Sequence, residues 1–249
     1  MLSGARRGAA VLALWLAVSG PATATPPNVI LEARYGEPTT RYAHGVLGDA
    51  VEWGALELIV DQCAGCPTRM IRKFTIRLPD TRVFEDIAPR IVDLDGDESP
   101  EVIVVESDLS KGARLAVYYE GGLIAATPFI GRANRWLAPV GAADFDADGV
   151  KELAYIDRPH LAKTLRIWAF DRNKGLTHLA DRPGLSNHRI GWDYIIGGIR
   201  DCGAGPEMIT ADAGWKNVVA TRFNGEDVTS TVLGPFDGRK SVTQAMACE

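Results

Sequence analysis

The sequence predicts an all-β fold of about four stacked, four-stranded antiparallel units, and three observations carry that reading. Two nine-residue acidic loops, Asp93-Leu-Asp95-Gly-Asp97-Glu-Ser-Pro-Glu101 and Asp144-Phe-Asp146-Ala-Asp148-Gly-Val-Lys-Glu152, each precede an apolar β-rich run. A third, degenerate copy, Asp201-Cys-Gly-Ala-Gly-Pro-Glu207, follows, so that Glu101, Glu152 and Glu207 recur at intervals of roughly 50 residues, a period that marks stacked supersecondary units. Between the copies lie short apolar runs separated by turn residues, without long periodic helices. Together these point to a small β-propeller of four blades, with five as the alternative.

Along the chain, Arg6 and Arg7, the apolar stretch from Ala9 to Val18 and the small-residue site Ala22-Thr-Ala24 read as an export signal over residues 1–24. That stretch falls short of the roughly 20 residues needed to span a bilayer, and no later segment is apolar enough, so no transmembrane segment is expected in the mature chain. Residues 25–249 are expected to form one domain of four units, near 42–88, 89–137, 138–192 and 193–249. The first has Tyr42–Leu47 as its entering strand, then Ala55–Val60, Arg69–Leu78 and Arg82–Phe84. The second has Val102–Val105, Arg114–Tyr119, a Gly121-Gly122 turn and Leu123–Ala126. In the third, Trp136–Ala142 enters, followed by Leu153–Ile156, Leu165–Phe170, a turn at Asn173-Lys174-Gly175 and Leu176–Leu179. Tyr194–Ile196 leads into the third loop and completes four expected strands between the second and third loops. Asn28–Glu32 is expected to complete the last sheet beside Val218–Phe223, a closure that would remove open strand edges.

The acidic loops carry chemistry as well as periodicity. Each offers carboxylates at positions 1, 3, 5 and 9 of a tight turn, the alternation that lets a curved loop point oxygens inward at a hard divalent cation; glycine lets the chain double back. Plain solvated turns are the simpler reading of one such loop, but two at the same spacing favour calcium cages. The third loop keeps oxygens only at Asp201 and Glu207, so two Ca²⁺ ions are expected. The net charge of −5 gives no basic face for nucleic acid. Export alters the reading of the four cysteines, since disulfides persist in oxidising compartments. Of the three possible connectivities, Cys63–Cys66 as a small loop and Cys202–Cys248 as a tether for the tail are preferred.

With Asp-Leu-Asp-Gly-Asp and Asp-Phe-Asp each preceding an apolar strand, the chain resembles the FG-GAP or VCBS repeats of integrin-alpha-type β-propellers. The resemblance implies calcium in interstrand loops, an extracytoplasmic setting, periplasmic or secreted, and a binding or adhesion role. It assigns as ligands Asp93, Asp95, Asp97 and Glu101, then Asp144, Asp146, Asp148 and Glu152, with backbone oxygens from Ser99 and Val150. Propellers of this family usually have about seven blades, whereas this chain has room for four or five.

A second site is expected at the end opposite the loops. An acid falls five residues after each repeat glutamate (Glu106, Asp157, Asp212), and arginines open several entering strands (Arg41, Arg135, Arg189). Antiparallel pairing brings the two sets together, with Arg135 and Asp157 the clearest pair. Ion pairs that merely lock strands are the bland reading. The sharper one is a rim for a partner protein, a glycan or a small anion, built from Arg41, Arg135, Arg158, His160, His188 and Arg189, with Arg132, Asn187, Trp136 and Trp192 nearby. No nucleophile elbow or zinc motif appears, so no catalytic residue is named and a binding or scaffold role is favoured. A hydrolase acting on a polar substrate at His160 and His188 is the alternative.

Overall fold

In the computed structural model, residues 28–249 are described, and the export signal expected over residues 1–24 lies outside the described residues. Seventeen strands and one helix follow in order. The first sheet has eight strands: β1 (Val29–Thr39), β2 (Glu52–Asp61), β3 (Ile71–Arg77), β4 (Arg82–Phe84), β5 (Arg90–Val92), β6 (Glu101–Asp108), β7 (Gly112–Tyr119) and β8 (Gly122–Ala126). It is two units joined: β4 bonds to β2 through Trp53 and Phe84 and to β6 along Arg82–Phe84. β4 and β5 together form the interrupted entering strand beside β6.

The next sheet is β12-β11-β10-β9, from β9 (Leu137–Ala143), β10 (Glu152–Asp157), β11 (Thr164–Asp171) and β12 (Gly175–Pro183). The last contains β13 (Leu185–Ser186), β14 (Gly198–Asp201), β15 (Pro206–Asp212), β16 (Asn217–Phe223) and β17 (Val228–Pro235), with β13 and β14 flanking the same edge of β15. Every pairing among these strands is antiparallel.

The units stack face to face, and the period-2 alternation of each strand divides its side chains between two cores. Val102 and Val104 of β6 pack with Leu56, Leu58 and Phe84 of the first unit, while Ile103 and Val105 join Leu115, Leu153 and Tyr155 on the other side. Ala154 and Ile156 of β10 likewise face Met208, Val219 and Phe223 of the fourth unit. Burial on both faces explains why Val102–Val105 and Leu153–Ile156 are continuous apolar runs.

Four local expectations differ from the structure, and one is that Tyr194–Ile196 is coil where a strand was expected. Asn28–Glu32 does not complete the last sheet: β1 runs antiparallel to β2, from Val29 opposite Asp61 to Thr39 opposite Glu52. The β2 strand is long and two-sided, and β1 is the sequence-adjacent partner that takes its free edge. Tyr42–Leu47 is coil, although Tyr42 and Val46 are buried. It reaches the segment between β13 and β14, where Gly191 N–H donates to the Val46 carbonyl at 3.2 Å. A Cβ on Gly48 would sit 3.0 Å from the Gly191 oxygen, at a backbone φ of +96°. The tail forms a helix the sequence did not announce, α1 (Gly238–Met246), whose Val242 and Ala245 cover Ile209, Ala211, Val218 and Ala220 on the outer face of the last sheet. Cys202–Cys248 ties its end to the third loop, Cys63–Cys66 closes the small loop after β2, and no described cysteine is free. No described helix is long and apolar enough to cross a membrane.

Candidate metal centres and the opposite rim

The first acidic loop joins β5 to β6 and the second joins β9 to β10. Their own aspartates fold them. Asp93 accepts from the Gly96 N–H at 2.8 Å and the Glu98 N–H at 3.3 Å. Asp144 accepts from Asp148 and Gly149, both at 3.1 Å. Positions 4 and 6 of both loops are left-handed: Gly96 and Glu98 in the first (φ 74° and 67°), Ala147 and Gly149 in the second (φ 63° and 93°). Each loop thus places one non-glycine residue in a conformation that disfavours a Cβ.

The closing glutamates clamp the loops. Glu101 accepts the Leu94 N–H at 2.9 Å and Glu152 the Phe145 N–H at 2.8 Å, and both side chains are buried. Carboxylate oxygens of Asp93, Asp95 and Glu101 lie within 4.8 Å of one another, as do those of Asp144, Asp146 and Glu152. Burial, reinforced by the neighbouring aspartates, pushes Glu101 and Glu152 up to about 7. An all-oxygen set around a buried carboxylate suits a hard cation, which would keep that carboxylate ionised. Asp97 and Asp148 stand outside these triads and accept the N–H groups of Ser99 and Val150, each at 2.8 Å. The Ser99 hydroxyl donates to the Asn28 carbonyl at 2.5 Å, and Val150 is exposed.

The third loop is closed without carboxylates at positions 1 and 5. Gly203 and Gly205 N–H groups donate to Asp201 at 2.7 and 3.1 Å, while Glu207 is paired with Arg222 at 3.0 Å and Arg200 at 3.3 Å. Sequence reading missed one residue of the first loop's surroundings. Arg172, in the turn between β11 and β12, donates to Asp95 at 2.7 Å and also bonds Glu101. Its partner is 77 residues away in sequence, and no local pattern reveals it.

At the far end of β10, about 20 Å along its six residues, the strand-locking ion pairs are present with different partners. Asp157 pairs with Arg158 at 2.8 Å and Arg166 at 2.9 Å, and Arg135 forms no ion pair among the described residues. Glu106 is held by Arg82 at 2.5 Å and Arg114 at 2.8 Å, and accepts the Tyr118 hydroxyl at 3.0 Å. Arg114 and Arg166 come from the strand after the acid, whose register places them opposite it: Glu106 faces Arg114 directly, and Arg166 is diagonal to Asp157. Asp212 accepts from Lys216 and Asn217.

The expected rim separates into three places. Arg135, Arg158 and His160 line one small pocket with His44, Asn134, Trp136 and Leu161. His188 lies buried behind it, bonded to His160 at 3.0 Å and to the Trp192 carbonyl at 2.9 Å. Arg189 lies instead over the Trp215 ring at 4.5 Å, in an aromatic stack with Trp192, Tyr194 and Phe236. Arg41 donates to the Arg82 carbonyl. Asn187 is buried and donates to the Ala138 and Pro139 carbonyls, which makes it a strand clamp. Unforeseen in the sequence was His44, whose Nδ1 lies 2.6 Å from the buried Glu85 carboxylate.

Burial first, then the charges of His188, His44 and Lys163, pushes His160 down from its usual 6.5 to about 4. Its folded value lies below its unfolded one, so protonation favours the unfolded chain. This contribution is complete above about pH 6.5 and is lost as pH falls towards 4. The wild type is expected to lose on the order of 2 kcal/mol more stability between pH 7 and 4.5 than His160→Gln does. Urea unfolding at the two pH values checks this, and equal losses in both proteins would refute it.

Residues 93–155, from the first acidic loop to Tyr155 in β10, match the family model of the FG-GAP-like repeat. No curated protein and no solved structure matches the chain.

Proposed function

Starting from the FG-GAP-like repeat that spans both acidic loops, we propose that the chain is an exported, calcium-stabilised binding module. In this reading its four units are the blades of a small propeller. Two Ca²⁺ ions are held by Asp93, Asp95, Asp97 and Glu101 and by Asp144, Asp146, Asp148 and Glu152, with carbonyl oxygens of Ser99 and Val150 completing the shells. Two disulfides accord with an oxidising compartment, periplasmic or extracellular.

The ligand is a small anion or an anionic glycan, bound at the pocket of His44, Asn134, Arg135, Trp136, Arg158 and His160. The observation that carries this is Arg135: a guanidinium lining a pocket beside an indole, without a carboxylate partner among the described residues. Arg158 already serves Asp157, so Arg135→Ala is the cleaner test. On a glycan and small-anion array, wild type is expected to bind an anionic member. Arg135→Ala should bind it at least tenfold more weakly, with its melting temperature unchanged. Binding that survives the substitution would leave the pocket without a function.

The His44–Glu85 pair favours a second reading, because a carboxylate on Nδ1 is how an imidazole is oriented as a general base. A hydrolase acting on a polar substrate would then use this same pocket. Turnover abolished by His44→Ala would establish it in place of simple binding.

A further inference from the structure

Each acidic loop is overlaid by a hairpin turn of the following unit, and the two turns differ in charge. Over the second loop lies the β16–β17 turn, where a Cβ added to Gly225 would stand 3.1 Å from the Asp146 Oδ2. Over the first lies the β11–β12 turn, which contributes Arg172. The Arg172 Nε donates to the Asp95 Oδ2 at 2.7 Å, its Nη2 bonds Glu101 and the same nitrogen is 3.6 Å from Asp97. Lys151 adds a second positive group, its Nζ donating to the Asp93 carbonyl at 2.5 Å. Among the described residues, no ion pair reaches Asp144, Asp146, Asp148 or Glu152. The third loop completes the series, with Glu207 paired to Arg200 and Arg222.

A guanidinium and a divalent cation make the same demand on a carboxylate. Arg172 takes up oxygens of Asp95 and Glu101, two members of the converging triad. A calcium ion needs six to eight oxygens at 2.3–2.6 Å, and a planar guanidinium left among them would be both a clash and a like charge. Arg172 therefore has to leave before an ion can enter, and charge-assisted bonds to a buried carboxylate have to be broken first. At the second loop nothing has to leave.

We propose that Arg172 is a resident competitor for the cation at the first acidic loop, which makes the two loops sites of unlike affinity. The second loop binds calcium tightly and remains filled. The first fills at higher calcium, and filling it releases the β11–β12 turn from the unit before. This rests on the reading of the loops as calcium sites, and it adds that only one of them responds to changes in calcium concentration.

The test is calorimetric titration of calcium into chelator-stripped full-length protein. Wild type is expected to show two sites whose dissociation constants differ at least tenfold. Asp146→Asn should retain only the weak site and Asp95→Asn only the tight one. In the Asp146→Asn background, Arg172→Gln and Arg172→Ala should each tighten the remaining site at least tenfold. The same substitutions should lower the melting temperature of the stripped protein, because they remove its internal counter-cation. That opposed pair of effects is not expected of a residue that only packs. Unchanged or weakened affinity in both Arg172 variants, or two indistinguishable wild-type sites, overturns the proposal while leaving the calcium reading intact. Absence of calcium binding in wild type overturns both.

Discussion

Stripping calcium from the protein is expected to lower its melting temperature by about 15–30 °C relative to a solution that fills both loops. A ligand that binds only the folded chain stabilises it by about 4 kcal/mol when its free concentration is a thousandfold above the dissociation constant, so two such sites contribute about 8. For a chain of this size, each kcal/mol moves the midpoint by about 2–4 °C. The structure gives the reason the effect should be large. Glu101 and Glu152 are buried at the starts of β6 and β10, strands lined by core residues on both faces, and both carboxylates are crowded by aspartates. Without an ion, folding must bury Glu152 against repulsion, and Glu101 with Arg172 as its one counter-charge among the described residues. Asp95→Ala and Asp146→Ala should each remove one calorimetric site, and the third loop should take no ion. A melting curve indifferent to chelator, or a third site, would refute the assignment.

The second large effect is expected at Glu106, which lies at the other end of β6 from the acidic loop. Its side chain is fully buried and gathers Arg82, Arg114 and the Tyr118 hydroxyl, tying β4, β6 and β7 together where the first two units merge. Glu106→Ala leaves two guanidinium groups, with 29% and 14% side-chain exposure, facing each other across the space the carboxylate held. Removing one partner of a buried ion pair costs about 3–5 kcal/mol, because the remaining charge keeps its desolvation penalty. Exposed pairs on the same unit, such as Arg34 with Glu57, should cost far less, because solvent screens them. Equilibrium unfolding of Glu106→Ala beside Glu57→Ala checks the contrast. A Glu106→Ala loss no larger than that of Glu57→Ala would show that the carboxylate is dispensable at this junction.

What was legible in the sequence is what is encoded locally. The metal triads were readable because Asp93 to Glu101 and Asp144 to Glu152 lie within nine residues and the loop itself brings them together. Strands β6, β7, β10, β15 and β16 were readable because burial on both faces leaves nearly uninterrupted apolar runs. Partners chosen across the sheet were not. Asp157 pairs with Arg166 because of the β10–β11 register, and nothing within either segment distinguishes Arg166 from Arg135 as the partner. His44 looked like a lone histidine in a strand, yet it reaches Glu85, 41 residues away, from a buried coil. Helix α1 has only Val242 and Ala245 buried across its nine residues, too narrow an apolar stripe to stand out.

That short helix also decides how the stack ends. Sheets that bury both faces against neighbours offer the same kind of face at each terminus, and an uncovered terminal face is an invitation to another molecule. On the first sheet the side chains Arg34, Glu57 and Lys73 form ion pairs at the surface and keep it wetted. At the other end the sheet presents Ile209, Ala211, Val218 and Ala220, and α1, fastened by Cys202–Cys248, occupies the place where a further sheet would dock. Helix α1 and its disulfide therefore act together as a cover, and cutting Cys202–Cys248 should let Ile209, Ala211, Val218 and Ala220 meet solvent more often.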